Sequence, residues 1–116
     1  FTSHSQYIIV SINKPLFQWV IENLCKNAID AIEGDGKITI SIRQNQQKTE
    51  IDISDTGKGI ERSNQRKIFS PGYTTKQRGW GLGLNLSKRI IEDYHSGKLQ
   101  LVESKIGIGT TFRITI

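Results

Sequence analysis

Asp55-Thr56-Gly57-Lys58-Gly59-Ile60, Lys67-Ile68-Phe69-Ser70-Pro71-Gly72-Tyr73-Thr74-Thr75-Lys76 and Gly79-Trp80-Gly81-Leu82-Gly83-Leu84 follow one another in the middle of a 116-residue chain. Six of the eleven glycines lie between Gly57 and Gly83. Each glycine is entropically costly to order, so such density marks tight turns or places where a ligand meets the main chain. The succession reads as backbone that closes over a phosphorylated ligand.

Charge supports that reading. The net charge is +5, and between Lys58 and Arg89 there are eight Lys or Arg residues against one acid, Glu61. The excess therefore sits around the glycines, where a positive field suits a polyphosphate at least as well as a nucleic-acid backbone. For any one of these cations a solvated surface is the simpler account. The length is one domain's worth, spanning 1–116. Cys25 stands alone, which excludes an intramolecular disulfide and favours a reducing compartment. No apolar run approaches the roughly 18 residues of a membrane span, so no direct membrane contact is expected. Methionine is absent, which reads as a domain excised from a longer chain.

Strand and helix signals alternate outward from the glycines. Ile8, Val10 and Ile12 suggest a short strand, and Leu16, Val20, Leu24, Ala28, Ala31 and Ile32 a helix that opens at Asn13 and Pro15 and stops at Gly34-Asp35-Gly36. Ile38, Ile40 and Ile42, then Ile51 and Ile53, make a hairpin with period two. A short helix over about 64–68 follows, and then a long loop from Ser70 to Gly81. A helix over about 84–94 is stopped at Gly97, and two strands flank Gly107-Ile108-Gly109. Three helices over one mixed, largely antiparallel sheet define a two-layer α+β fold.

Counting in twos from Ile51 and Ile53 places Asp55 at the inner end of its strand, and the same count from Phe112, Ile114 and Ile116 places Thr110 inward. A carboxylate there needs a donor, either from the protein or from a ligand such as the exocyclic amine of adenine. An Asp that caps its own turn and a Thr that fills a strand end are the plain alternatives. Asn23, Asn27 and Asp30 share one stripe of the first helix at i, i+4 and i+7. Asparagine is a poor helix former, and amide oxygens suit Mg2+ alongside phosphate oxygens and water; an ordinary wet face is the alternative.

These segments resemble the sensor histidine kinases. Glu22-Asn23-Leu24-Cys25-Lys26-Asn27-Ala28-Ile29-Asp30-Ala31 looks like their N box, Asp55 to Gly59 the G1 box, Lys67 to Lys76 the F box and lid, and Gly79 to Gly83 the G2 box, in the family's order. The Asn-Ala-Ile-Asp-Ala form and Tyr73-Thr74-Thr75-Lys76 look most like the nitrogen-regulatory type. Trp80 departs from the small or polar residue usual in that family. The resemblance implies the Bergerat (GHKL) fold with ATP and Mg2+ as ligands. It implies that Asp55 accepts from adenine and that Gly57 and Gly59 let the base lie on the backbone, with Ile60, Leu82, Leu84 and Thr110 in the same site. It further implies that Asn27 ligates the metal with Asn23 near the phosphates and Asp30 beside them, and that Thr74, Thr75, Lys76 and Arg78 lie along the lid. Phe69 and Tyr73 anchor the lid by packing, while Gly81 and Gly83 shape the entry to the third helix, whose amides attract phosphate.

Related chaperone and mismatch-repair ATPases carry a water-activating glutamate where this chain has Asn23, and an amide is no general base. A serine-phosphorylating anti-sigma kinase would also be expected to carry glutamate there. The resemblance thus implies a cytoplasmic domain that donates the γ-phosphoryl group of ATP to a histidine elsewhere. Neither His4 nor His95 lies in a phosphoacceptor context. A dimerisation and phosphoacceptor domain upstream, a homodimeric parent and a response-regulator receiver are the implied partners. A hydrolysing GHKL ATPase and a basic nucleic-acid-binding module are the rivals, and no Gly-x-Gly-x-x-Gly or P-loop spacing is present.

Overall fold

Asn13 starts the first helix because its side chain can take the place of a missing helical acceptor. Its Oδ1 accepts from Leu16 N–H at 3.2 Å, and its carbonyl takes the first helical bond from Phe17 N–H at 2.8 Å. The computed structural model, which describes residues 11–45, 47–73 and 83–116, places α1 at Lys14–Ala31. Val20, Leu24 and Ala28 recur at i, i+4 and i+8 and form its buried face. After Ile32 the chain leaves in extended conformation and turns at Gly34, where φ is +74°.

Strands β1 (Ile38–Gln44), β2 (Thr49–Asp55), β3 (Lys98–Lys105) and β4 (Gly109–Thr115) form one sheet in the order β1-β2-β4-β3. Every pair among them is antiparallel. Among the described residues no parallel pair completes the anticipated mixed sheet, and the strand expected at 7–12 lies mostly outside them. The inner face is ordered in rows across the strands. Ile42, Ile51, Ile114 and Leu99 make one row, and Ile40, Ile53, Phe112 and Leu101 the next. Against these pack α1, Ile68, and Ile90 and Ile91 from the second helical element. That element is α2 (Gly83–Arg89), which widens into a π-helical turn at Ile90–Tyr94. It ends at His95 and Ser96 (φ +53°), before Gly97; a Cβ at 97 would lie 2.2 Å from the Thr115 carbonyl.

The short helix expected over 64–68 is instead a 3-10 turn at Arg62–Asn64 followed by further tight turns. Its bonds run i to i+3: Asn64 N–H to Glu61 O at 2.9 Å and Lys67 N–H to Asn64 O at 2.8 Å. The segment is too short to repay helix nucleation, and buried Ile68 fixes it from below.

The outer face of the sheet is polar, yet it buries a charge. Asp52, only 8% exposed, receives Arg113 Nε at 2.8 Å and Nη2 at 3.0 Å, with Arg43 Nη2 at 3.1 Å. The Arg113 hydrogen bond, aided by Arg43, holds the Asp52 carboxyl below its ordinary range despite the opposing effect of burial. A depressed acid contributes stability above its unfolded pKa and loses it as pH falls through the folded value. Asp52→Asn is therefore expected to lower unfolding free energy by about 1–3 kcal/mol at pH 7. Urea titrations at pH 7 and pH 3 should show that gap closing at the acid end.

Candidate functional site

One further row completes the inner face, and it is not apolar. Ile38 pairs with Asp55, Asp55 with Thr110, and Thr110 with Ser104, so a carboxylate and two hydroxyls end the sheet where the isoleucine rows stop. Asp55 Oδ1 accepts from Gly57 N–H at 2.8 Å, which is the self-capping turn weighed above, and the Thr110 N–H opposite also reaches the carboxylate. An ionised carboxylate offers about four lone-pair directions, so these donors leave capacity for another. Burial raises the Asp55 pKa, and the Gly57 and Thr110 amides oppose that rise.

Ser104 reaches this row because β3 carries a bulge between Leu101 and Glu103. Strict alternation from Leu99 and Leu101 would turn Glu103 inward; the extra residue turns Ser104 inward instead. Its Oγ accepts from Ile60 N–H at 2.8 Å and lies 2.8 Å from Thr110 Oγ1, with either hydroxyl able to donate. Gln65 Nε2 donates to Ile60 O at 3.0 Å and to Ser104 O at 3.3 Å. The strand count does not signal Ser104, since the bulge breaks it, and Gln65 lies in the turns after Asn64, where no such count applies.

The polar stripe of α1 joins the two glycine segments. At one end Asn23 Nδ2 donates to the Oγ of fully buried Ser87 at 3.1 Å, and a Cβ at Gly83 would come within 2.6 Å of Asn23 Oδ1. At the other, two turns along, the Ala31 carbonyl accepts from Lys58 N–H at 2.9 Å and lies 2.6 Å from the Cβ position of Gly57. Asn27 stands between these contacts at i+4 from Asn23 and is half-buried, while Asp30 is exposed. Glu22 points away, where Gln18 Nε2 donates to its Oε1 at 2.9 Å.

The glycines at 57 and 59 are required by the packing of the protein itself. Gly59 has φ +79°, and a Cβ there would lie 2.2 Å from the Lys105 carbonyl. Both glycines are thus required by close approach of protein to protein, at α1 and at the β3–β4 hairpin. Leu84 and Ile60 pack partly buried on the core. Phe69 packs edge-on to Phe112 with ring centres 6.2 Å apart, its carbonyl accepts from Asn85 Nδ2 at 2.9 Å, and Tyr73 also packs on the core. Thr74, Thr75, Lys76, Arg78, Gly81 and Leu82 lie outside the described residues.

Residues 12–116 match the family described as histidine kinase-, DNA gyrase B-, and HSP90-like ATPase. The chain belongs to that ATPase family. It is 42% identical over 108 residues to the signal transduction histidine-protein kinase AtoS of Escherichia coli (strain K12), which covers 92% of this chain and 17% of AtoS. Sporulation kinase E of Bacillus subtilis (strain 168) is 41% identical over 98 residues, covering 84% of this chain and 13% of that kinase. The chain thus spans well under a quarter of the length of either relative. Among solved structures, the nucleotide-free catalytic domain of histidine kinase ThkA superposes with a TM-score of 0.82 at 36% identity, over 92% of this chain and 70% of that one. ThkA in complex with the response regulator TrrA gives 0.81 at 31% identity, over 97% of this chain and 31% of that one. The fold is therefore the GHKL fold, in its histidine kinase form, and ATP is the ligand of the family. Among the described residues no helix is long and apolar enough to cross a membrane.

Burial that raises the Asp55 pKa makes its ionisation a cost to the fold: the stability associated with this group is fully present below its unfolded pKa and is lost as pH rises through the folded value. Asp55→Asn keeps an acceptor for Gly57 N–H and removes the charge. It is expected to raise the melting temperature at pH 7, with the difference shrinking below about pH 4, and to weaken ATP binding at least tenfold, as thermal melts and calorimetry would show.

Proposed function

We propose that this domain holds ATP in the trough between the polar row of the sheet and the α1 stripe, and donates its γ-phosphoryl group to a histidine on another domain. One observation carries the choice of transfer over hydrolysis. In this scheme the Asn23 amide takes the place next to the phosphates; it is bound to Ser87 Oγ, while exposed Glu22 accepts from Gln18 on another side of the helix. An amide cannot accept a proton from water, so positioning and charge neutralisation are what the residues contribute.

Asp55 accepts from the exocyclic amine of adenine, with Thr110 beside it and Ile60, Gly57, Gly59 and Leu84 shaping the base site. Asn27 holds Mg2+, with Asn23 and Asp30 near the phosphates. Among the described residues no cluster of three or more His, Cys, Asp and Glu could hold a metal. The amide donor set fits an ion that arrives with the nucleotide and keeps phosphate and water oxygens. When bound, Mg2+ neutralises phosphate charge. Thr74, Thr75, Lys76, Arg78, Gly81, Leu82 and Gly83 flank the phosphates in this reading, and Phe69 and Tyr73 anchor their base.

His95 is not the acceptor. Its Nε2 accepts from Asn13 N–H at 2.9 Å, its Nδ1 lies 3.0 Å from Ile90 O, and Phe17 packs on the ring, so neither nitrogen is available. The acceptor histidine belongs to a dimerisation domain upstream in a homodimeric parent, and phosphate passes on to an aspartate of a response regulator, as the ThkA–TrrA complex suggests. The domain works in the cytoplasm.

Calorimetric titration with a non-hydrolysable ATP analogue, with and without Mg2+, tests the scheme. Asp55→Ala is expected to abolish binding, and Asn27→Ala to remove the metal's contribution. With γ-labelled ATP the chain should bind nucleotide and incorporate no label at His4 or His95. Turnover of ATP that Asn23→Ala reduces would point to a hydrolase instead.

A further inference from the structure

We propose that Ser104 is a positioning residue that sets the base preference of the nucleotide site; the inference rests on the ATP-site reading above. Ser104 is the one member of the polar row contributed by β3, and it faces inward only because of the bulge after Leu101. Its Oγ accepts from Ile60 N–H at 2.8 Å and lies 2.8 Å from Thr110 Oγ1, a distance at which either hydroxyl can donate; in this inference the donor is Ser104, whose lone pair is engaged by the Ile60 amide. A Thr110 oxygen that accepts from Ser104 directs its own proton elsewhere, toward the trough.

Thr110 is then a donor directly across the sheet from the Asp55 acceptor. An acceptor beside a donor matches the amine and adjacent ring nitrogen of a 6-aminopurine. A 6-oxopurine presents the reverse pattern on that edge and leaves buried polar groups unpaired. Ser104 further fixes the backbone beneath the base, since Ile60 is held through its N–H by Ser104 and through its carbonyl by Gln65. The bulge thus exchanges a glutamate for a serine at the row, keeping a second carboxylate away from Asp55.

Calorimetry of this chain with ADP and with IDP, each with Mg2+, reads the effect. Ser104→Ala is expected to weaken ADP roughly tenfold and IDP by less than about threefold, so that the ADP:IDP preference falls. Ser104→Thr keeps the hydroxyl and should restore the preference to within about twofold. Ser104→Cys, close in volume but weak as both donor and acceptor, should lose the preference as well, and a cooperative thermal melt of each variant shows that it is folded, which keeps the test decisive if the alanine variant folds poorly. An unchanged ADP:IDP ratio in both Ser104→Ala and Ser104→Cys, or equal loss of both nucleotides, would overturn the inference. Asp55→Ala separates the two levels. If it leaves ADP binding intact, the site reading fails; if it abolishes binding while the Ser104 variants keep the ratio, only the role of Ser104 fails.

Discussion

Antiparallel register is the constraint on which the site depends. Once Ile51 faces Ile114 and Ile53 faces Phe112, Asp55 must face Thr110 on the same side of the sheet. The apolar rows that hold the core therefore also aim the polar row. A one-residue slip of β2 would turn Ile51 and Ile53 to solvent and bring Asp52 inward, so the energy of the core protects the placement of one carboxylate. Site and stability share a single alignment.

Two carboxylates three residues apart show how environment divides their work. Asp52 is the more buried, and two arginines compensate it on the outer face, one bidentately. Asp55, at the inner end of the same strand, has amide donors only and a raised pKa. The first is an ion pair that closes on itself. The second is a charge held with unused acceptor capacity, at some cost to folding, as the proposed role of Asp55 requires.

Much of this could be read from the residues. The period of Val20, Leu24 and Ala28 gave α1, and alternation gave the hairpin of β1 and β2 and the inward turn of Asp55 and Thr110. Period-two counting fails where the chain inserts a residue, and so Ser104 stayed hidden behind Glu103. Asp52 was missed for another reason: its partners Arg43 and Arg113 come from two neighbouring strands, and no local pattern announces a buried charge on an outer face. Ser87 is fully buried against Asn23 only because α2 crosses α1 at that point, a tertiary fact that helical periodicity does not contain. The 3-10 turn at Arg62–Asn64 escaped because three residues are too few to carry a period.

Glycine density in the middle of the chain has a packing cause. Cβ atoms at 57, 59 and 83 would strike the Ala31 carbonyl, the Lys105 carbonyl and the Asn23 amide, all of them protein. Lys58 extends the same fastening, donating from its N–H to Ala31 O and accepting at its carbonyl from Gly107 N–H, each at 2.9 Å. The loop after β2 is thereby tied to the end of α1 on one side and to the β3–β4 hairpin on the other. Such a loop gains its shape before any ligand arrives, because its bonds are made to rigid elements and side chains are absent where those elements come closest. Preorganisation of this kind lowers the entropy that binding must remove. The same fastening steadies α1: its polar stripe is an unfavourable helix face, but it is clamped at Asn23 by α2 and at Ala31 by the loop, with Asn27 between them.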